Sequence, residues 1–201
     1  MPVHQAESAR QQIRSTALEL FSTLGFSGTG IRRIAEDAGV SLATLYHYMT
    51  SKEDLLVEIL TENMMTLLRD AAVALHGKLN PKDQLAALVA VHVDTHVERR
   101  LQCIVSDTEV RSLSGANRDC VIKYRDDYEA IWNRVIASGK KSGQFVISDV
   151  DVATKSLIEM CTGVAHWYKP GGRLDLDALT ATYIELCLNA LQANRSRKVL
   201  T

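Results

Sequence analysis

Polar and cationic residues able to bind a nucleic acid lie in and around the segment 41–48. Hydroxyl, imidazole and cationic side chains are interleaved there with apolar ones, and no carboxylate occurs between residues 38 and 52. Such groups bind the phosphates and base edges of nucleic acids. We therefore predict a DNA-contacting surface, and its candidate residues are Thr29, Arg32, Arg33, Ser41, Ala43, Thr44, Tyr46, His47 and Lys52.

A second group lies in the C-terminal half and suits a small-molecule effector. At helical spacing, His92 and His96 share one face with core leucines and valines. Large aromatics recur downstream, and cations cluster between residues 99 and 125, where they could meet an anionic ligand. The candidate effector residues are His92, His96, Arg111, Arg125, Tyr128, Trp132, Met160 and Trp167.

Plainer explanations of the second group stay open. The spacing of His92 and His96 suits metal ligation, but no third ligand is identifiable, so pocket histidines are the better interpretation and no metal is predicted. Aromatic residues at helical spacing could simply form a core. No G-x-S-x-G, H-E-x-x-H or Gly-rich phosphate loop is found, so catalytic residues are not predicted. The cysteines at 103, 120, 161 and 187 leave a redox sensor as a further alternative.

Composition restricts the class of protein. The chain has 201 residues, 46% of them hydrophobic, with only 11 glycines and 3 prolines, which favours long helices over an all-β fold. Its net charge of −1 excludes a global positive field, so any DNA contact must be local. No apolar run reaches membrane-spanning length, and the first residues lack a signal-peptide core, so we expect a cytoplasmic protein with no membrane partner.

Apolar periodicity predicts an all-α chain of nine helices that position these groups. The first ends at Gly25, Thr29 caps the second, Ser41 caps the third, and Ser51 with Asp54 begins a long fourth helix that continues to the break at 77–81. The remaining helices are predicted at 82–98, 100–113, 116–139, 149–167 and 176–193. The strand-like residues 144–148 have no partner strand and are predicted to be a loop.

The stretch IRRIAEDAGVSLATLYHY has the marks of a helix-turn-helix. Small Ala35 allows close helix approach, Gly39 permits the positive φ of a tight turn, and Leu45 closes the core. The second helix of the motif, about 10 Å long, fits a major groove about 12 Å wide. A compact three-helix packing without DNA binding would show similar spacing, but the polar and cationic neighbours favour DNA.

These residues closely resemble the TetR family of bacterial transcription regulators. The resemblance covers residues 10–57, with AGVS, LYHY and SKEDL in order, and Met49 stands where the family usually has phenylalanine. It implies a two-domain homodimer, with a helix-turn-helix DNA-binding domain at 1–52 and an effector-binding and dimerisation domain at 53–201. It also implies phosphate contacts for Tyr46 and Lys52, and base contacts for Ser41, Thr44 and His47.

Two short blocks, SDTEVRSLSG and VAHWYKPGG, are similar to a TetR sub-branch that senses acyl-CoA thioesters, although turn chemistry alone explains much of the second. The predicted function is a repressor that binds a palindromic operator and is released by an acyl-CoA, with no cofactor. A multidrug-responsive regulator is the alternative. We expect dimerisation through the last two long helices, on stripes formed by Val152, Ser156, Met160, Cys161 and Val164, and by Leu179, Tyr183, Leu186, Cys187, Ala190 and Leu191.

Overall fold

The computed structural model describes the backbone of residues 3–193 and the side-chain burial of residues 9–193. The outermost residues of both predicted domains, 1–2 and 194–201, lie outside this range. Helices dominate the described chain, and no strand occurs in it. The helices are α1 (Val3–Gly28), α2 (Ile31–Asp37), α3 (Leu42–Tyr48), α4 (Lys52–Leu75), α5 (Pro81–Glu98), α6 (Arg100–Glu109), α7 (Gly115–Lys141), α8 (Val150–Thr162), α9 (Val164–Trp167) and α10 (Leu176–Ala190).

All nine predicted helices are confirmed, with one division. Gly163 separates the predicted helix 149–167 into α8 and the single turn α9. A short 3₁₀ turn, Val110–Ser112, completes the predicted helix 100–113 after α6. Gly25 interrupts α1 with a φ of 73°, as the predicted stop requires, and residues 144–148 form a loop.

Of the three predicted N-terminal capping residues, two cap their helices and one does not. The Ser41 hydroxyl accepts from the Thr44 amide, and the Ser51 hydroxyl accepts from the Asp54 amide. The predicted cap at Thr29 is wrong, because α2 begins after Gly30, which makes no side-chain cap. The Thr29 hydroxyl instead donates to the Gly25 carbonyl at 2.8 Å and closes the turn that ends α1.

The described chain forms two compact units. Within the described residues, the first contains residues 3–65 and 101–124, and the second contains residues 66–100 and 125–193. Each unit combines segments that are distant in the sequence, and α4 and α7 contribute residues to both. The predicted boundary at residue 52 separates a DNA-binding domain from an effector-binding domain, and it stays a prediction. The two units, by contrast, are defined by which segments pack together.

The first unit has its core between α1, the helix-turn-helix and the start of α4. The largest fully buried side chains are those of Ile13, Phe21, Ile34, Leu45, Leu56, Ile59 and Leu60. Residues of α6 and α7, including Val105 and Val121, complete the same cluster. Burial of a large apolar side chain stabilises the fold by about 1.5–3 kcal/mol, so this core holds the two motif helices firmly in place.

In the second unit, α5 lies against α10, α8 and α9. Its apolar face is fully buried at Leu85, Leu88, Val89 and Val93. The two histidines of α5 are buried with these residues, which brings polar rings into the interior of this unit. None of the helices in residues 3–193 is both long and apolar enough to cross a bilayer.

Candidate DNA interface and effector site

The turn between α2 and α3 has the geometry expected of a helix-turn-helix. Gly39 has a φ of 66°, and the amide of Val40 donates to the Ala35 carbonyl at 3.0 Å. Ala35 and Leu45 are buried between the helices. Because these contacts are internal, the opposite face of α3 is left for a ligand.

That opposite face carries most of the predicted DNA contacts. Ser41, Ala43, Tyr46 and His47 are exposed and Thr44 is half-buried, while the Ser41 and Thr44 hydroxyls lie 2.8 Å apart. Tyr46 is 54% exposed, so its ring and hydroxyl are accessible from outside the unit. These five residues are therefore available together on one helix.

Intramolecular ion pairs reduce the charge available to DNA. Arg32 and Arg33 are both exposed on α2. The Arg33 side chain forms an ion pair with Asp37, to which its Nε donates at 2.7 Å. Two further arginines of the first unit pair with α4, Arg10 with Glu58 and Arg14 with Glu62. Since residues 1–52 hold only five basic side chains against four acidic ones, binding by a single copy is expected to be weak.

Two predicted contact residues have internal roles. Thr29 is 1% exposed, so its side chain faces the interior and is not offered to DNA. The Lys52 ammonium donates to the carbonyls of Phe26 and Thr29 at 2.7 and 2.8 Å, and lies 4.1 Å from the Phe26 ring centroid. Partial burial lowers the pKa of Lys52, opposed by the field of Glu109. Lys52 thus holds the turn that joins α1 to α2.

We expect Lys52→Met to destabilise the protein by about 1–3 kcal/mol, because two charge-assisted hydrogen bonds to backbone carbonyls are lost. Urea unfolding monitored by circular dichroism measures the change, with Lys78→Met, at an exposed position, as the matched control. Equal stability of the two variants would leave Lys52 with no role except a phosphate contact.

The structure brings together four of the predicted effector residues inside the second unit. His92 Nδ1 lies 3.1 Å from the Tyr128 hydroxyl, and the His92 ring stacks on His96 with centroids 4.0 Å apart. Trp132 meets the His92 ring edge-on at 5.7 Å. Thr162, for which the sequence held no signal, supplies the second partner, its hydroxyl 3.0 Å from His92 Nε2. We call His92, His96, Tyr128, Trp132 and Thr162 the histidine cluster.

Burial keeps the histidine cluster uncharged. Desolvation lowers the pKa of His92 well below its usual value, and the neighbouring His96 lowers it further. Desolvation also lowers the pKa of His96 to about 4, against the opposing hydrogen bond to the His92 carbonyl. Both rings are therefore neutral at pH 7. Among the described residues, no three metal-binding side chains converge, here or elsewhere.

The other predicted effector residues lie elsewhere. Met160 and Arg125 are half-buried in the second unit, whereas Arg111 is exposed and belongs to the first unit. Trp167 is 54% exposed, which does not suit the buried wall predicted for it. It lines a separate cavity of about 210 Å³ formed by the loop after α9, together with Lys169 and Arg173.

The three buried cysteines do not support the redox alternative. None of the four forms a disulfide; Cys120 is exposed, whereas Cys161 and Cys187 are fully buried with their sulfur atoms 3.8 Å apart. The hydrogen bond between them and their burial raise the pKa of the Cys161 thiol. Buried, protonated thiols react slowly with oxidants.

Sequence comparisons match both halves of the chain to one family. The family model "Bacterial regulatory proteins, tetR family" matches residues 13–59, and "Tetracyclin repressor-like, C-terminal domain" matches residues 78–191. The HTH-type transcriptional repressor KstR2 of Mycolicibacterium smegmatis is 24% identical over 96% of both chains.

Two solved structures share the fold. A tetR-family regulatory protein from Rhodococcus RHA1 is 27% identical, has a TM-score of 0.85, and is matched over 91% of this chain and 96% of its own. AibR, in complex with isovaleryl coenzyme A and operator DNA, has a TM-score of 0.80 at 23% identity, over 89% of this chain and 97% of its own. The chain therefore belongs to the TetR family of ligand-responsive transcriptional repressors, and it is a DNA-binding regulator, not an enzyme.

Proposed function

We propose that this repressor binds a palindromic operator as a homodimer in the cytoplasm and is released by an acyl-CoA thioester. DNA binding is supported chiefly by the exposed face of α3, which presents Ser41, Ala43, Tyr46 and His47 to solvent. The opposite face of the helix is packed in the core through Leu45. A recognition helix of this kind reads bases in the major groove, and a two-fold dimer reads two half-sites.

The proposed dimer surface is the outer part of α8 and α10. Part of each predicted stripe is buried within the chain, because Cys161, Val164, Leu179, Tyr183, Cys187 and Leu191 pack inward. The outer positions are available, with Val152 64% exposed and Leu186 47% exposed, and with Ser156 and Ala190 also exposed. Such a surface from each copy would form a four-helix interface.

Variants of α3 should separate base contacts from phosphate contacts. His47→Ala should change the preferred base at one position of each half-site at about 1–3 kcal/mol, whereas Tyr46→Phe should weaken binding to all sequences alike. Selection from random DNA, followed by titration at fixed salt, measures both effects.

The matched control is His76→Gln, at an exposed histidine outside the helix-turn-helix, which should bind like wild type. The selected sites should be palindromes, and light scattering should give twice the 22.2 kDa of one chain. Equal affinity for selected and shuffled DNA would contradict the DNA proposal, and a monomeric mass would contradict the dimer.

The support for an acyl-CoA comes from two places in the second unit. The cavity beside Trp167 combines an exposed indole with Lys169 and Arg173, a set that suits an anionic, planar head group. The histidine cluster offers aromatic walls and neutral polar groups. The complex of AibR with isovaleryl coenzyme A shows that a protein of this fold binds such a ligand.

Saturating acyl-CoA should reduce operator affinity at least tenfold, a coupling of at least about 1.4 kcal/mol. Electrophoretic mobility shifts with acyl-CoAs of increasing chain length measure the release, with free CoA as the ligand control. Arg173→Gln should weaken the response, and Lys78→Gln should leave it unchanged. Release by a neutral drug-like compound but by no acyl-CoA would instead indicate a multidrug-responsive regulator.

A further inference from the structure

The hydrogen-bonding state of His96 follows from a single contact. Its Nδ1 lies 2.7 Å from the backbone carbonyl of His92, and because a carbonyl only accepts, Nδ1 must carry the proton. A neutral imidazole has one N–H, so His96 Nε2 is an unprotonated acceptor. The parallel stack of the two rings, 4.0 Å apart, supports neutrality because two imidazolium rings would repel each other.

His92 has no hydrogen-bonding capacity left for a ligand. Its two ring nitrogens are held by the hydroxyls of Tyr128 and Thr162, at 3.1 and 3.0 Å. These contacts fix the ring on which His96 stacks and against which Trp132 stands edge-on. His92 therefore positions its neighbours and does not itself receive the ligand.

Trp132 contributes the complementary group. Its side chain is fully buried, and its indole N–H has no acceptor within the described part of the chain. A buried donor without a partner costs about 1–3 kcal/mol, so an acceptor supplied by a ligand would be favoured there. Thr162, which is only half-buried, places the cluster next to the surface at the end of α8.

We propose that the histidine cluster binds an uncharged group that donates to His96 Nε2 and accepts from Trp132 Nε1. A secondary amide is the simplest such group, and a hydroxyl beside a carbonyl is chemically equivalent. A carboxylate is excluded, because it cannot donate and would face the lone pair of Nε2. This inference rests on the proposed function, since it names the part of the effector that the second unit recognises.

Three matched probes test the donor and acceptor roles: N-methyloctanamide, N,N-dimethyloctanamide and octanoate. Wild-type protein should bind the N-methyl amide about three- to tenfold more tightly than the dimethyl amide, which lacks the donor. His96→Phe keeps a flat ring for stacking and should abolish this preference, whereas the exposed-site control His76→Gln should retain it. Calorimetry measures the affinities.

The indole proton gives a second measurement on unmodified protein. The chain contains two tryptophans, so Trp167→Phe assigns the two indole resonances. Both amides should move the Trp132 resonance, and octanoate should not. Equal affinity for the two amides, a shift caused by octanoate, or no binding of any probe would overturn the inference. Operator binding is measured separately, so a failure of the proposed function is recognised independently of the probe results.

Discussion

Lowering the pH from 7 to 5 should destabilise the protein through the two buried histidines. In the unfolded chain a histidine binds a proton near pH 6.5, whereas the folded pKa of His96 is about 4. Between these values the unfolded state binds more protons, so stability falls as the pH falls, by about 2 kcal/mol for His96 between pH 7 and pH 5. His92, whose pKa is also lowered, changes stability in the same direction.

The groups that face these rings do not offset the effect. Tyr128, Thr162 and Trp132 are uncharged, and the nearby His166 opposes protonation of His96. Urea unfolding at pH 7, 6 and 5 measures the slope. His96→Gln should flatten it, and the exposed-site variant His76→Gln should not. Identical slopes for His96→Gln and wild type would contradict neutral burial of this ring.

Gly139→Ala should destabilise the protein by about 2–4 kcal/mol, although alanine favours helices by about 1 kcal/mol over glycine. A Cβ at residue 139 would lie 2.0 Å from Cδ2 of Phe145, whose ring is buried. The ring is held in place, because the Phe145 amide donates to the Gly139 carbonyl and the Val146 amide donates to the Leu191 carbonyl. The added methyl group must therefore displace the ring from the core.

Removing the ring provides the matched test. In a Phe145→Ala background, Gly139→Ala should cost little, and the coupling in the double-mutant cycle measures the clash. Gly28→Ala is the control for the substitution itself, since its Cβ would make an ordinary 3.7 Å contact with Leu24. Additive effects of Gly139→Ala and Phe145→Ala in thermal unfolding would show that the two positions do not interact.

The fold class, the helices and the DNA-binding motif could all be predicted from the amino-acid residues alone. These features depend on local physics: apolar spacing defines each helix face, Ser41 and Ser51 cap by bonding to amides three residues later, and Gly39 permits a positive φ. Each signal lies within a few residues of the feature that it predicts. The outward face of α3 follows from the same periodicity.

The contacts between chemical groups from distant parts of the chain could not be predicted in this way. Thr162 reaches His92 from 70 residues away and carries no local signature, and Lys52 bonds to carbonyls at Phe26 and Thr29 instead of remaining free for phosphate. Arg111 and His92 are both candidate effector residues by sequence, but they belong to different units. The protonation state of a histidine and the hydrogen-bond partners of a side chain depend on burial and on contacts between distant segments. The spacing of neighbouring residues predicts neither of them.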